Sequence, residues 1–166
     1  MKIDTPVREI IAGGILTALA LFFQSAPLWL SGIGLFISPL ATLPVALAAA
    51  LSIPLGAVVY TAAAFLLMLA DPQEAAIFLL ATGLLGMASG FSRTREHRVL
   101  IPAAALCIGL LALTNLGLIP VFGGITPRSV LLQIPVYALF SLLYAALWVT
   151  GIKYILPLVE KIHLFD

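Results

Sequence analysis

Apolar residues fill six long segments of the chain, and short stretches of polar, glycine and proline residues separate them. The segments cover about residues 7–23, 35–51, 55–69, 75–91, 99–119 and 128–152. A helix needs about 20 residues to cross about 30 Å of hydrocarbon. The pattern therefore predicts an all-α, polytopic membrane protein, a bundle of six transmembrane helices that forms a single domain over residues 1–166.

Prolines and glycines in the first third of the chain indicate where the first two spans begin and end. Pro6 suits an early position of a helix, and Ala26–Pro27 is expected to end the first span. Ser31–Gly34 is typical of a turn. Pro39 and Pro44 remove two backbone donors, so the second span is expected to be kinked or partly unwound near its start.

Short polar stretches indicate the later boundaries. Ser52–Pro54 predicts a tight connection, but it carries no charge, so a division into five rather than six spans stays open there. Asp71 or Pro72 is placed to start the fourth span. The stretch 153–166 repeats apolar positions at helical spacing, and we expect it to lie along the membrane surface.

Basic residues predict the orientation of the bundle. Three of the eight Lys and Arg residues fall within 92–98, between the fourth and fifth spans. Short loops rich in Lys and Arg stay on the cytoplasmic side, and six spans then place both termini on that side too, in the cell (plasma) membrane of a prokaryote. Only Arg128 falls outside; the seven inside are Lys2, Arg8, Arg93, Arg95, Arg98, Lys153 and Lys161.

Composition supports the membrane assignment and narrows the chemistry. Hydrophobic residues make up 63% of the chain and charged residues 9%, whereas a soluble domain carries about 25% charged residues. A net charge of +1 argues against nucleic acid as a partner. Cys107 is the one cysteine in the sequence, so neither a disulfide nor a thiolate metal site is expected, and no cofactor is predicted.

Acid–base and nucleotide chemistry lack candidate residues within the spans. No Asp, Glu, Lys, Arg or His falls in the middle of a span, which argues against a proton relay. The sequence has no His-Glu-x-x-His pattern and no glycine-rich phosphate loop. His97 and His163 are expected at the cytoplasmic boundary. We therefore expect a protein that is not an enzyme, with no catalytic residue and no metal, and any ATPase on another chain.

Neutral polar side chains gather near the outer end of the predicted bundle. Polar groups in hydrocarbon are costly without partners or water, so the clustering predicts a wet cavity open to the outside. The alternative is that these residues only cap helix ends at the headgroup level. The candidate substrate-binding residues are Gln24, Ser38, Thr42, Tyr60, Asn115, Gln133 and Tyr137, with the two tyrosines at the floor.

The surroundings of this set predict how a solute would enter. Gly123 and Gly124 would let the 120–127 loop bend over the opening as a lid. The neutral side chains suit an uncharged or weakly polar solute. Asp71 and Glu74 are expected at the mouth, where they would favour a cationic group.

Two small-residue patterns permit close approach between helices. Gly86-x-x-x-Gly90 in the fourth span is most simply internal packing. Gly14-x-x-x-Ala18 in the first span is a candidate face for docking a partner in the inner half of the membrane.

These features resemble those of the S components of energy-coupling factor transporters, which are small six-helix substrate-binding membrane proteins. The resemblance implies an S-component-like fold with a pocket near the outer face for a vitamin, a metal or another micronutrient. It also implies that Gly14 and Ala18, with Ala12 and Ala20 beside them, dock a shared membrane coupling subunit that sits on two ATPases.

A second stretch carries a related resemblance. Residues 37–46, followed by Gly56 and the glycine-rich segment 83–90, look like the uncharacterised YybS-like membrane proteins. That group is itself similar to S components.

Two functions from different classes stay open. The first is a membrane-embedded substrate-binding subunit for uptake of a vitamin-like or micronutrient-like small molecule. Its partners would be the small-molecule substrate, membrane lipid, and a separate coupling subunit with ATPases. The second is a structural membrane scaffold similar to MreD, with no transport activity. A concave pocket with a few convergent polar groups would favour the first, and an enzyme acting on lipid ranks last for want of a nucleophile, acid or base.

Overall fold

The computed structural model describes residues 5–92, 99–118 and 130–161, which are helical almost throughout and contain no strand. A 3-10 segment (Ser38–Ala41) joins the second and third helices, and a π-helical segment (Phe78–Thr82) joins the fifth and sixth. The helices are α1 (Thr5–Gln24), α2 (Ala26–Ile37), α3 (Thr42–Leu51), α4 (Ile53–Ala70), α5 (Pro72–Ile77), α6 (Gly83–Phe91), α7 (Leu100–Asn115) and α8 (Val130–Lys161).

Five segments among these residues are long and apolar enough to cross a membrane. They are Val7–Gln24, Gly32–Leu51, Ile53–Ala70, Pro72–Phe91 and Gln133–Pro157. Helix α7 is also apolar but has 16 residues, a length of about 24 Å. The prediction of an all-α chain is confirmed over the described residues, and five of the six predicted spans have the length and composition of a membrane-crossing helix.

Helix α7 is shorter than predicted, because it ends at Asn115 and not near residue 119. Gly117 adopts a positive φ of 70°, a conformation that glycine accepts without steric cost. The Gly117 amide donates to the Thr114 carbonyl, and the Leu118 amide donates to the Leu113 carbonyl. This pair of bonds is the Schellman arrangement that closes a helix.

The first connection also differs from the prediction. Helix α1 breaks at Ser25, and Pro27 lies in the first turn of α2 and does not end α1. The predicted turn at Ser31–Gly34 is part of helix α2, and α2 is sharply bent. The evidence is a short distance: a Cβ added to Gly34 would lie 2.5 Å from the Pro27 Cα. Residues seven apart in a straight helix would be about 10 Å apart along its axis. Pro27 favours a new helix start, and the bend lets that helix turn back into the second apolar segment.

The second span is interrupted where its prolines lie. The 3-10 segment Ser38–Ala41 includes Pro39, so the regular α-helix is interrupted near the start of the span, although by a tighter helical turn and not by unwinding. At the other end of α3, Ser52 alone separates it from α4, and its hydroxyl accepts a hydrogen bond from the Leu55 amide at 3.5 Å. The predicted tight connection is confirmed, and α3 and α4 are separate helices.

Asp71 starts the next helix as predicted. Its carboxylate accepts hydrogen bonds from the amides of Gln73 and Glu74 at 2.8 and 3.1 Å, and Pro72 follows in the first turn. These contacts satisfy donors that a helix start leaves unpaired. The π-helical segment Phe78–Thr82 that follows is a feature that the sequence analysis did not anticipate.

The last helix is longer than predicted. Helix α8 continues without a break from Val130 to Lys161 and includes Pro157. Helix α8 therefore extends past the predicted end of the sixth span at Ile152, and the expectation that residues 153–166 lie along the membrane surface stays a prediction. Gly151 does not end the helix, which runs on through Lys153.

Helix α6 packs closely against α3. A Cβ added to Gly86 would lie 2.7 Å from the Thr42 carbonyl oxygen, and one added to Gly90 would lie 2.5 Å from the Ala49 Cβ. The two helices run parallel, because Gly86 faces Thr42 while Gly90 faces Ala49. The Gly86-x-x-x-Gly90 pattern is therefore internal packing, as predicted.

Successive described segments along the chain alternate in direction. We call the end at which α1 begins the proximal end, and the end that holds Gln24, Ala70 and Asn115 the distal end. Helices α1, α4 and α7 run toward the distal end, and α3, α5–α6 and α8 run back. Contacts consistent with these directions are Gly13–Leu55, Ala49–Gly56, Leu80–Gly109 and Thr114–Tyr137.

Gly109 gives a direct test of this packing. A Cβ there would overlap the Leu80 carbonyl oxygen of the π-helical segment. We expect Gly109→Ala to destabilise the protein by about 1–3 kcal/mol, because backbone must move to accommodate the methyl group. Thermal unfolding in one detergent should show a lower Tm.

Gly151→Ala is the matched control. No atom lies within 4 Å of a Cβ added at Gly151, and alanine is favoured over glycine in a helix by up to about 1 kcal/mol. An unchanged or higher Tm for Gly109→Ala would contradict the close contact between α7 and the π-helical segment.

Candidate functional site

Gln24 lies fully buried at the distal end of α1 and joins three segments. Its Nε2 donates to Glu74 Oε2 at 2.7 Å, and its Oε1 accepts from the Thr82 hydroxyl at 2.6 Å. Both ends of the amide are therefore paired. The contacts fasten α1 to the start of α5 and to the end of the π-helical segment.

Tyr60 supports the same π-helical segment from α4. Its hydroxyl donates to the Leu79 carbonyl oxygen at 2.8 Å, and its ring stacks on Phe78 with centroids 5.8 Å apart. A π-helical turn disturbs the regular backbone hydrogen-bond ladder, and the tyrosine supplies a side-chain partner there. Tyr60 thus has a structural contact at the position where the sequence analysis placed a pocket floor.

Asn115 and Gln133 face each other across α7 and α8. Asn115 Nδ2 donates to the Leu111 carbonyl at 2.7 Å and lies 3.3 Å from Gln133 Oε1. Below this pair, the Thr114 and Tyr137 hydroxyls form a hydrogen bond of 2.8 Å. Asn115 is exposed whereas Gln133 and Tyr137 are buried, so this group leads from the distal surface into the bundle.

The α4–α5 turn connects the two polar groups. Glu74 accepts from Gln24, and its neighbour Gln73 donates from Nε2 to the Leu118 carbonyl at 3.1 Å. The turn predicted to form the mouth of a cavity therefore holds α1 on one side and the end of α7 on the other. Gln24 directs its amide to Glu74 and Thr82, not to Asn115.

Ser38 and Thr42 lie on the 3-10 segment and the first turn of α3, and both side chains are buried. Thr42 contacts Gly86, and their helices run parallel. Ser38 and Thr82 each lie four residues before these positions, so they lie at about the same depth. These residues therefore share the distal half of the bundle with Gln24. Thr42 Oγ1 has no hydrogen-bond partner among the described residues.

The predicted docking residues lie on the outside of the bundle. Gly14 and Ala18 are exposed, and no atom lies within 4 Å of a Cβ added at Gly14. Ala12 and Ala20, which were expected beside them, are instead buried and face the core. The small residues of α1 therefore form an inward set, Ala12 and Ala20, and an outward set, Gly14 and Ala18.

A groove of about 560 Å³ runs between the outward set and α4. It lies along two of the segments that are long and apolar enough to cross a membrane, and most of its walls are apolar. Its lining includes Gly13, Gly14, Thr17 and Ala18 from α1 and Val58 and Ala62 from α4.

A second apolar cavity of about 510 Å³ lies beneath the bent helix α2. Leu21, Phe22, Trp29 and Ile37 contribute to its lining, with Ser25 as one polar residue. Trp29 is 80% exposed.

Sequence analysis missed two polar residues that complete these networks. Thr82 partners Gln24, and Thr114 partners Tyr137. Threonine occurs inside membrane helices without special cost, because its hydroxyl can bond to the preceding turn. No signal in the sequence marks Thr82 as a partner of a residue 58 positions away.

Several predicted features lie outside the described residues. These are the 120–127 lid with Gly123 and Gly124, the basic stretch 93–98, Arg128 and His163. Among the residues that the structure does describe, no group of three or more His, Cys, Asp or Glu side chains is placed to hold a metal ion.

Comparisons of this chain with protein-family models, with curated proteins and with solved structures found no significant match. The functional argument therefore depends on the chemistry of the residues above. That chemistry is hydrogen bonding by neutral amides and hydroxyls, beside the carboxylates of Asp71 and Glu74.

The Gln24 network predicts a measurable stability difference. Gln24→Leu would leave Glu74 and Thr82 without their partner, and a buried group left unpaired costs about 1–3 kcal/mol. We expect a lower Tm in detergent than for the wild-type protein.

Gln73→Leu is the matched control, since Gln73 is exposed and makes one side-chain bond to a backbone carbonyl. It should change the Tm less than Gln24→Leu does. Equal Tm values for the two variants would show that the buried network does not hold α1 in place.

Proposed function

We propose that this chain is the membrane-embedded substrate-binding subunit of an uptake system for a vitamin-like or micronutrient-like small molecule, energised by separate coupling and ATPase subunits. The observation that carries the proposal is the polar group at the distal end of α7 and α8. Asn115 lies at the surface, Gln133 faces it, and the Thr114–Tyr137 pair lies beneath.

The Asn115–Gln133 contact is suited to exchange for a ligand. Its 3.3 Å length is beyond the most common N–H···O distance of about 2.9–3.0 Å. A weak bond between two neutral amides costs little to break when a solute offers a better partner. The same two amides can then donate and accept, because each carries an oxygen and an NH₂ group.

The side chains suggest the class of solute. Amides and hydroxyls would recognise an uncharged or weakly polar molecule by hydrogen bonds within apolar walls. Asp71 and Glu74 at the α4–α5 turn add a preference for a cationic group if the solute has one. Ser38, Thr42 and Tyr60 would contribute from the neighbouring segments.

The groove beside α1 supports the expected partner. Gly14 and Ala18 are exposed at membrane depth, where small residues allow another helix to approach closely. We assign this face to the coupling subunit, in line with the resemblance to S components. The chain itself would have no enzymatic activity.

The topology belongs to the same proposal. We place the protein in the cell membrane of a prokaryote with six spans, α7 as the fifth, and both termini cytoplasmic. The alternating helix directions support a crossing by α7, and its exposed end at Leu116 would then face outward. Lys153, exposed at the proximal end, would face the cytoplasm.

Cysteine labelling in intact cells tests this topology. In a Cys107→Ser background, Leu116→Cys should react with an impermeant maleimide and Lys153→Cys should react only after the membrane is opened. If α7 does not cross the membrane, the two positions exchange behaviour, because α8 would then end on the outer side. Both residues are exposed, so access within the fold is matched.

Retention of a solute tests the binding role. The wild-type protein, extracted in mild detergent, should retain a small molecule that mass spectrometry identifies after denaturation. Asn115→Leu combined with Gln133→Leu should reduce retention at least tenfold, since loss of hydrogen bonds worth about 1.4 kcal/mol changes binding by that factor.

Ala18→Leu tests the docking face in the same preparation. The variant should still retain the solute but should no longer co-purify with a coupling subunit and its ATPases.

The outcome against the proposal is equally specific. Retention that is the same in the wild-type protein and in the double variant, with both folded, would remove the binding role from Asn115 and Gln133. The Gln73→Leu variant serves as the control for an amide lost from the same end of the bundle.

A scaffold similar to MreD is the second candidate, and one observation favours it. Gln24, Glu74 and Thr82 satisfy one another through short hydrogen bonds of 2.6 and 2.7 Å and join three segments. Such a network is well suited to hold helices in place. Loss of stability without a retained solute in the experiments above would favour this candidate.

A further inference from the structure

The partners of Asn115 fix the positions of its side-chain protons. Its Nδ2 lies 2.7 Å from the Leu111 carbonyl oxygen, and a carbonyl oxygen can only accept. An amide with its oxygen and nitrogen exchanged would place two acceptors in contact there, so this bond decides the orientation. The same nitrogen lies 3.3 Å from Gln133 Oε1. Both Nδ2 protons are therefore committed, and Oδ1 is the acceptor that Asn115 carries at the distal surface.

The hydroxyls beneath this amide follow the same rule. The Thr114 hydroxyl lies 2.8 Å from the Leu110 carbonyl oxygen and 2.8 Å from the Tyr137 hydroxyl. Each contact needs a proton, and Thr114 has one to give. That proton goes to Leu110, because a carbonyl has none of its own, so the Tyr137 hydroxyl donates to Thr114. Any further partner of the Tyr137 oxygen must then donate to it.

The amide pair offers more acceptors than donors to a solute that separates it. Asn115 keeps its short bond to Leu111 and contributes one Nδ2 proton together with Oδ1. Gln133 contributes Oε1, the atom that faces Asn115. A solute between the two amides therefore meets one donor and two acceptors, and the Tyr137 oxygen beneath them adds a third acceptor.

The α4–α5 turn adds acceptors at the same end of the bundle. Gln73 joins this turn to the end of α7 through the Leu118 carbonyl. The Asp71 carboxylate accepts from two backbone amides, and the Glu74 carboxylate accepts from Gln24. A carboxylate has two oxygens and about four acceptor positions, so both groups can accept further bonds from a solute that carries donors.

The distribution of charge favours the same kind of solute. Basic residues in the part of the chain that the structure describes lie toward the proximal end: Arg8, Lys153 and Lys161. The carboxylates of Asp71 and Glu74 lie at the distal end without a basic neighbour among these residues. An anionic solute would therefore approach like charges, which is unfavourable.

We infer that the solute bound between α7 and α8 is rich in N–H or O–H donors and carries no anionic group. One acceptor beside those donors would meet the single available Asn115 proton. Primary amides, amino-substituted nitrogen heterocycles and amidinium groups are donor-rich in this sense, whereas carboxylates and phosphates are not. The inference rests on the proposed function, because it names the class of solute for the same site.

Three probes of the same shape test the donor preference on the purified wild-type protein with its retained solute. Acetamidinium presents donors only, acetamide presents donors and one acceptor, and acetate presents acceptors only. At equal concentration, with ionic strength matched by sodium chloride, acetamidinium and acetamide should each release about threefold more solute than acetate does. Mass spectrometry of the released and retained fractions measures this. Release by acetate that equals or exceeds release by acetamide would overturn the inference.

Asn115→Asp tests the preference from the side of the protein. An exposed aspartate is ionised near neutral pH and can accept but not donate, whereas Asn115→Leu removes both functions. Asn115→Asp should retain about threefold more of a donor-rich solute than Asn115→Leu does. A solute that accepts from Asn115 would be lost from both variants. Equal retention by the two, or less by Asn115→Asp, would contradict the inference.

Gln73→Glu is the matched control for the added negative charge. Gln73 is exposed at the same end of the bundle, and its side-chain bond goes to the Leu118 carbonyl and not to either amide of the pair. Retention should stay close to the wild-type level, with the Tm of each variant confirming that it is folded. If Gln73→Glu changes retention as much as Asn115→Asp does, charge and not hydrogen bonding decides, and the inference is wrong.

The binding role and the donor preference fail in different ways. If no solute is retained, or if Asn115→Leu combined with Gln133→Leu retains it fully, the binding role fails and the inference fails with it. If the solute is lost from the double variant but proves to be a carboxylate or phosphate, or to lack N–H and O–H groups, the binding role stands. The donor inference alone is then overturned.

Discussion

Close backbone contact between helices is the interaction on which the rest of this bundle depends. Gly86 and Gly90 bring α6 against α3, and Gly109 brings α7 against the π-helical segment. Lipid tails are as apolar as the side chains they replace, so burial of apolar surface does little to join helices within a bilayer. Dispersion between closely packed atoms takes its place, and that attraction weakens quickly with distance. Each of these glycines therefore permits a helix separation that a larger side chain would prevent.

Irregular backbone occurs in this protein where a partner is available for it. The π-helical segment receives the Tyr60 hydroxyl at the Leu79 carbonyl, and its Leu80 carbonyl lies against Gly109. The α7 terminus closes through its own Schellman bonds at Gly117. Unpaired backbone groups are very costly at membrane depth. The positions of Tyr60 and Gly109 are thus tied to the segment that they support, which accounts for the hydrogen bond from the tyrosine hydroxyl to backbone.

Local patterns predicted much of the fold, and contacts between distant residues account for what was missed. The capping role of Asp71 and the tight connection at Ser52 follow from nearby chemistry, and the structure confirms them. Pro39 interrupts the second span through a 3-10 segment. The turn predicted at Ser31–Gly34 is a bend within α2, where Gly34 packs against Pro27 seven residues earlier. The shorter α7 depends on Gly117, which apolarity alone does not reveal.

Local sequence patterns also do not determine which side chains of the candidate site face each other. Depth counting placed Gln24 and Asn115 at one end of the bundle, which agrees with the structure, but depth does not determine which amide faces which partner. Gln24 pairs with Thr82, a residue without a distinctive pattern around it. Side-chain direction depends on helix rotation, and rotation here follows from the glycine contacts between helices.

The hydrogen bonds of Gln24 are shorter than the Asn115–Gln133 contact, and this difference bears on where a solute would enter at the distal end. The Gln24 bonds are 2.6 and 2.7 Å long and link fully or partly buried partners, so breaking them would expose two unpaired groups. The Asn115–Gln133 contact is 3.3 Å long and one partner is already exposed to solvent. Exchange therefore costs less between α7 and α8 than between α1 and α5. A solute that uses this end of the bundle would displace the Asn115–Gln133 contact, while the Gln24 network keeps α1 fixed.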